Sequence, residues 1–346
     1  MKLLGNLDCE AVWAGATLPE PVRRRISLYA ALFAACAPPE AGGEPHELWA
    51  PAAIDPARLV AQPGWTPPRV RPRGDGEPAT FDRVWADPAA KAANDRGRTL
   101  AIAQALGVAL PGARLVASLA ELDDHLAGDP AGAPAGNPAG ILAGDLAGDP
   151  AGILSGPAGR PWVCKARWTA AGRDRVHGAG PAVGELRVRL GRMFERLGPL
   201  VFEPWLDRVA DFGACGEVTL TGEVRVAAPH RLVTDPRGGF IGIALAPAVP
   251  PDIAEPIRAT ATAAATRLAA ETGYRGRFAV DAFAYRDGGA QHLHALCELN
   301  ARTTFGWIAR ALGDRLGITR LGFDAPPAGA TVLIAPGDDR VTAWCA

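Results

Sequence analysis

The sequence predicts an α/β protein, α+β in arrangement, built from two or three structural units, and three observations carry this. Its 346 residues exceed one ordinary domain of roughly 100 to 200 residues, and 48% of them are hydrophobic, ample for extended cores. Strand-like apolar runs alternate with helical stretches along the chain. A hairpin signal near the end, Phe278 to Asn300, supplies a rigid element carrying acidic and amide side chains.

The elements follow in order. An apolar opening, a helical stretch near Pro21 to Ala37 and the run Glu47-Leu48-Trp49-Ala50-Pro51 make a small N-terminal α/β unit, residues 1–85, closing around Pro78 in a Pro/Arg/Gly-rich connector. It holds no Gly-rich phosphate loop. A second helix is expected from Asp87-Pro88 to Leu106, because Asp before Pro starts a helix well and Gly107 stops one. Val108-Ala109-Leu110-Pro111 then approaches a strand. Between Leu126 and Arg160 the chain falls into Ala/Gly/Pro/Asp repetition, with Pro-Ala-Gly-Ile-Leu at 138–142 and again at 150–154. Such a tract has too few large apolar groups to offset the entropy of ordering it, so a flexible insertion is expected. The alternative is a short turn-rich excursion ordered by contacts.

Order returns with the strand Pro161-Trp162-Val163-Cys164-Lys165-Ala166, a helix from Gly184 to Leu197 and the strand Leu200-Val201-Phe202-Glu203. The region Val218 to Ile243 reads as strands separated by Thr-Gly and Pro-Arg-Gly-Gly turns. A long helix from Asp252 to Thr272 is closed by Gly273. The hairpin comes next: Phe278 to Tyr285, the turn Arg286-Asp287-Gly288-Gly289, and His292 to Asn300. Thr331 to Pro336 is one last strand.

Acidic and basic residues nearly cancel, 37 against 36, which removes any general electrostatic reason to bind nucleic acid or an anionic membrane. Cys9, Cys36, Cys164, Cys215, Cys297 and Cys345 lack the pair spacings of zinc sites and the density of a disulfide framework, so reduced thiols are expected. The N-terminus turns polar too early for a signal peptide, and no apolar run approaches the ~18 residues needed to cross a bilayer. A cytoplasmic location is expected.

The hairpin carries the chemistry. Alternation puts Phe278, Val280 and Ala282 on one face and Asp281 on the other; on the second strand Glu298 and Asn300 share a face while Cys297 and Leu299 point away. Set opposite one another, Asp281, Glu298 and Asn300 form a hard oxygen cluster suited to Mg2+, which takes oxygen ligands at about 2.0 to 2.1 Å. Arg302, two residues on, would face the same way and neutralise an anion. The plainer reading is a solvent-exposed polar strand face. Lys165 lies on an otherwise apolar strand, where an ammonium is costly unless it finds an anion or water. His292 and His294 share a strand face at i, i+2 and read as solvent-facing; His177 and His230 lie in segments that could line a cleft.

Glu298-Leu299-Asn300-Ala301-Arg302 resembles the Glu-x-Asn-x-Arg signature of the ATP-grasp superfamily, with Asp281 on the preceding strand as the second metal-binding carboxylate. The resemblance runs over roughly residues 85 to 325. It implies an ATP-grasp fold of two α+β subdomains gripping ATP: residues 86–200 a lid with the insertion at about 126–160, and residues 201–346 the subdomain with the metal site, after a pre-ATP-grasp-like unit. Lys165 resembles the family's phosphate-reaching lysine. Thr169-Ala170-Ala171-Gly172-Arg173 occupies the place of its phosphate flap, with Arg175 as further charge. Val201 to Asp207 is similar to the adenine-binding hinge, which would involve Glu203, Pro204, the Leu206 backbone and Asp207. On the helix before the lid either Lys91 or Arg96 is the phosphate-facing cation.

The resemblance implies ATP with Mg2+ or Mn2+ as cofactors. It implies a ligase that activates a small carboxylate as an acyl phosphate and joins it to an amine, releasing ADP and phosphate, with Lys165 and Arg302 stabilising the transferring group. The alternatives are a kinase acting on a small molecule and a nucleotide-binding scaffold without turnover.

Overall fold

A computed structural model describes residues 2–5, 7–38, 44–73, 82–83, 88–128, 159–168, 174–236 and 238–346, which form a mixed α/β fold with three sheets. The Pro78 connector, Asp87, the flap and most of the Ala/Gly/Pro/Asp tract lie outside the described residues. Among the described residues no helix is long and apolar enough to cross a membrane.

The first sheet joins β1 (Lys2–Leu4), β2 (Glu47–Ala50), β3 (Arg69–Pro72) and β4 (Asp82–Arg83), all parallel, in the order β3-β2-β1-β4. Between β1 and β2 come α1 (Cys9–Trp13) and α2 (Glu20–Ala30). The helix expected to Ala37 tightens into a 3-10 turn over Ala31–Cys36, where Leu32 and Phe33 are fully buried. Among the described residues this unit shares its core with the rest of the chain. Leu3, Phe33, Leu48 and Trp65 share one apolar cluster with Ile308, Leu321 and Ile334 from the far end of the chain.

The helix expected as one piece from Asp87 to Leu106 is two pieces, a 3-10 segment Pro88–Asn94 and α3 (Arg96–Ala105). Asp95 breaks it. Its carboxylate accepts the Gly97 N–H at 2.8 Å, the N-cap bond that starts a new helix, and the Arg167 Nε at the same distance. Gly107, at φ +70°, ends α3 as the sequence suggests.

The second sheet is antiparallel, β5 (Arg114–Val116), β6 (Pro161–Lys165), β7 (Arg175–Ala179) and β8 (Leu200–Pro204) in the order β5-β8-β6-β7. Trp162, Cys164, Leu200 and Phe202 meet α4 (Leu119–Gly128) and α5 (Gly184–Leu197) on one face. Strand alternation therefore leaves Lys165 and Glu203 on the other face, where neighbouring Val201 packs with Leu100 of α3.

The third sheet is built on β9 (Asp207–Val218), a long strand that starts where a hinge was expected to end. β10 (Val224–Val226) pairs with it, as do β11 (His230–Thr234) and β13 (Gly276–Asp287); β12 (Phe240–Ala244) follows β11, and β14 (Ala290–Asn300) completes the hairpin on β13. Beyond β12 lie β15 (Arg320–Gly322), β17 (Ala343–Cys345) and β16 (Thr331–Ile334). The helix α6 (Pro251–Thr272), closed by left-handed Gly273, covers Phe212, Phe278, Val280 and Leu299. A last helix, α7 (Phe305–Leu316), was not foreseen.

Gly306 of α7 has no room for a side chain. A Cβ there would stand 2.7 Å from the His230 ring and 2.8 Å from Cys215 Sγ. Ala favours a helix interior by about 1 kcal/mol over Gly, but overpacking costs roughly 1–3 kcal/mol. Gly306→Ala is expected to lower the unfolding free energy in urea; an increase would show that the neighbours yield freely.

His230 and His294 are buried, and burial lowers the pKa of each to about 4; Arg310 acts in the same direction on His230, and Lys165 and Arg208 on His294, against Glu203. The expected solvent-facing position of His294 is thus wrong: it packs edge-on against Phe283, with centroids 5.1 Å apart. Because the unfolded rings protonate near 6.5, the stability each neutral ring contributes is complete above that pH and is lost as pH falls toward 4, by up to roughly 3 kcal/mol per ring. Relative to His294→Gln, the protein is expected to lose stability steeply between pH 6.5 and 4.5 in urea titrations; parallel profiles would contradict this.

Candidate active site

The hairpin brings its three oxygen-bearing residues together. Asp281 stands directly opposite Glu298 in the antiparallel register, and the Asn300 amide Nδ2 lies 3.4 Å from Asp281 Oδ2. Burial, followed by the neighbouring Glu298 charge, pushes the Asp281 carboxyl up to about 7. A carboxyl whose proton affinity is raised by burial and by a neighbouring carboxylate favours a cation, and the donors are hard oxygens, so the set fits Mg2+. Among the described residues no group of three His, Cys, Asp or Glu side chains is arranged to hold a metal. The hairpin set is two carboxylates and an amide.

Two arginines flank it. Arg302 Nη2 donates to Asn300 Oδ1 at 2.8 Å, and its Nε lies 2.8 Å from Glu10 Oε1 on α1. Arg96, at the start of α3, donates to Glu298 Oε1 at 2.8 Å and to the Ala166 carbonyl at 3.0 Å, so it ties the hairpin to the end of β6. Lys91 is placed elsewhere: its Nζ sits 5.2 Å from the Trp168 ring centroid, an exposed cation–π contact. Of the two candidate cations, Arg96 is the one at the carboxylates.

On the neighbouring sheet Lys165 Nζ and Glu203 Oε2 are 2.5 Å apart. Burial is the largest influence on the ammonium and disfavours it, but the charge and hydrogen bond of Glu203 together with Cys297 leave the Lys165 pKa raised. Burial likewise disfavours the carboxylate most, and the charge and hydrogen bond of Lys165 with His294 and Arg208 leave the Glu203 pKa lowered. Pro204 ends β8, Leu206 packs beside Leu100 and Leu110, and Asp207 opens β9 opposite Arg286. Arg175 pairs with Lys165 across β6 and β7. Gly172 and Arg173 lie outside the described residues. A crevice between α3, β8 and β14 is lined by Arg96, Thr99, Leu100, Glu203, His294 and Cys297.

Cys297 departs from expectation. A register irregularity between Asp281 and Phe283 makes Phe283 pair with His294 rather than with a residue nearer Glu298. Cys297 therefore joins Phe283 and Leu100, with Arg208 Nη2 at 3.8 Å from its sulfur, while Leu299 stays in the core under α6. His177 packs edge-on to Trp205 at 4.3 Å, and His292 stacks on Tyr285 at 5.3 Å. Sequence reasoning missed Glu10 and Arg208. The signal for Glu10 was an acidic residue among Cys9, Ala11, Val12 and Trp13, the argument already applied to Lys165.

No protein-family model matches the sequence, and no curated protein matches it. Solved structures do. The chain resembles N5-carboxyaminoimidazole ribonucleotide synthetase from Thermus thermophilus with a TM-score of 0.50 at 15% identity, over 99% of this chain and 92% of the other. It resembles phosphoribosylamine–glycine ligase from Thermotoga maritima with a TM-score of 0.51 at 12% identity, over 100% of this chain and 89% of the other. The fold of this chain is the ATP-grasp fold.

The Lys165–Glu203 pair is a direct stability test. Glu203→Gln leaves a buried ammonium without its counter-charge and is expected to cost roughly 3–5 kcal/mol, whereas the joint K165M/E203M change removes both charges and is expected to cost much less. Equal losses in urea denaturation of the two variants would contradict the pairing.

Proposed function

We propose that this protein is an ATP-dependent ligase that activates a small carboxylate as an acyl phosphate and joins it to an amine, releasing ADP and phosphate. The observation that carries the reading is the Asp281–Glu298 pair with Asn300 alongside, on the rigid hairpin of an ATP-grasp fold. In this reading residues 1–85, 86–200 and 201–346 are the N-terminal unit, the lid and the metal-bearing unit. The names of the two similar proteins, a synthetase and a phosphoribosylamine–glycine ligase, support the same class.

Asp281, Glu298 and Asn300 would hold magnesium. The bound magnesium nucleotide supplies the phosphoryl group and offsets its negative charge. The rest falls to the chain. Lys165 and Arg96 would take up phosphate oxygens. Glu203, Pro204, Leu206 and Asp207 would hold the base and ribose. Arg302 would orient the anionic carbonyl donor. Gly172 and Arg173 would cover the phosphates.

ADP release is measured across amino acids and small carboxylates with magnesium, and the product is weighed by mass spectrometry. A condensed product is expected, and Glu298→Gln or Asn300→Ala is expected to lower ADP formation by roughly 100-fold or more without unfolding the protein. A stable phosphorylated product, or tight ATP binding with no ADP under any substrate pool, would contradict the ligase reading.

A further inference from the structure

Glu10 is a buried carboxylate outside the set assigned so far. It lies on α1 of the N-terminal unit, yet its partner is Arg302, at the end of the hairpin: Oε1 stands 2.8 Å from Arg302 Nε, and Oε2 accepts from Cys9 Sγ at 3.3 Å. The exposure of the two side chains is 7% and 12%, so solvent does little to screen either charge. The guanidinium also feels Glu298 and Asp281, both of which raise its pKa together with Glu10, against the cost of burial. Of these three carboxylates, Glu10 is the one within ion-pair distance of Arg302.

That pairing has a consequence for the hairpin. Arg302 Nε is paired by charge with Glu10, and the guanidinium bonds the hairpin set from Nη2 to the Asn300 Oδ1. A carbonyl oxygen has two lone pairs, so this bond fixes the amide and leaves a second site on the same oxygen. Without the Glu10 charge, a sheltered guanidinium would turn toward its next anions, Asp281 and Glu298, and neutralise the charge that attracts a divalent ion.

We propose that Glu10 is a positioning residue, which holds Arg302 off Asp281 and Glu298 so that the arginine orients Asn300 while the two carboxylates stay available to a metal. The proposal rests on the metal-binding reading above. Its effect runs through a residue that itself contacts a ligand, and such outer contacts typically change metal affinity 10–100-fold.

The test is Mn2+ binding to the full chain in the presence of ADP, followed by electron paramagnetic resonance, with circular dichroism to verify folding. Glu10→Gln is expected to weaken Mn2+ binding by at least about tenfold. Glu10→Asp, which keeps the charge, is expected to recover most of the affinity, and E10Q/R302M, which also removes the competing cation, is expected to bind better than Glu10→Gln alone. A folded Glu10→Gln protein that binds Mn2+ like the unmodified chain overturns the proposal. If Glu10→Gln does not fold, R302M and E10Q/R302M decide: a residue that acts through Arg302 leaves their affinities equal, and Mn2+ binding about tenfold or more weaker in E10Q/R302M than in R302M overturns it. Binding by the unmodified protein that Glu298→Gln leaves unchanged overturns the metal-binding reading itself, and this proposal with it.

Discussion

The antiparallel register of β13 against β14 is the constraint on which the site depends. Side chains on a strand alternate with a period of two, so a slip of one residue would send Asp281 or Glu298 under α6 and bring Val280 or Leu299 to the other face. The core prevents this. Phe278, Val280 and Ala282 are buried on the α6 side, and β13 is paired along its length with β9, from Gly276 opposite Val218 to Arg286 opposite Asp207. Moving the carboxylates apart would require exposing that apolar face, at about 25 cal/mol per Å². The hydrophobic pattern of one face thus dictates the electrostatics of the other.

The second sheet is joined to this frame by charge as well as packing. Arg96 bonds both Glu298 and the Ala166 carbonyl, and Arg167 reaches back to Asp95, the cap of the same helix. The N-terminus of α3 therefore sits between Lys165 and the hairpin carboxylates. Three charged pairs tie the parts of the site together: Lys165 with Glu203, Arg96 with Glu298, Arg302 with Glu10. Such pairs add little to net stability, but they define where anions and cations can enter, and breaking one partner is costly.

Much of this was legible because it is local. The face shared by Phe278, Val280 and Ala282 and the helix stops at Gly107 and Gly273 depend only on neighbours in sequence and stand where expected, while the turn expected over Arg286 to Gly289 narrows to Gly288-Gly289 because the strand runs on to Asp287. What depended on distant partners was not legible. Asp95 splits a helix because it caps and binds Arg167; Cys297 turns toward Arg208 because the register is irregular; His294 is buried under an aromatic from the adjoining strand. Lys165 and Glu203 were each singled out, but their pairing follows from β6 and β8 being neighbours, which no spacing in the sequence reveals. Glu10 and Arg302 come from opposite ends of the chain.

The most direct test of the hairpin as a metal cage is anomalous diffraction from crystals grown with Mn2+ and ADP. A peak bonded to oxygens of both Asp281 and Glu298 is expected. A peak at other residues, or density showing the two carboxylates turned to different sides of the sheet, would contradict it.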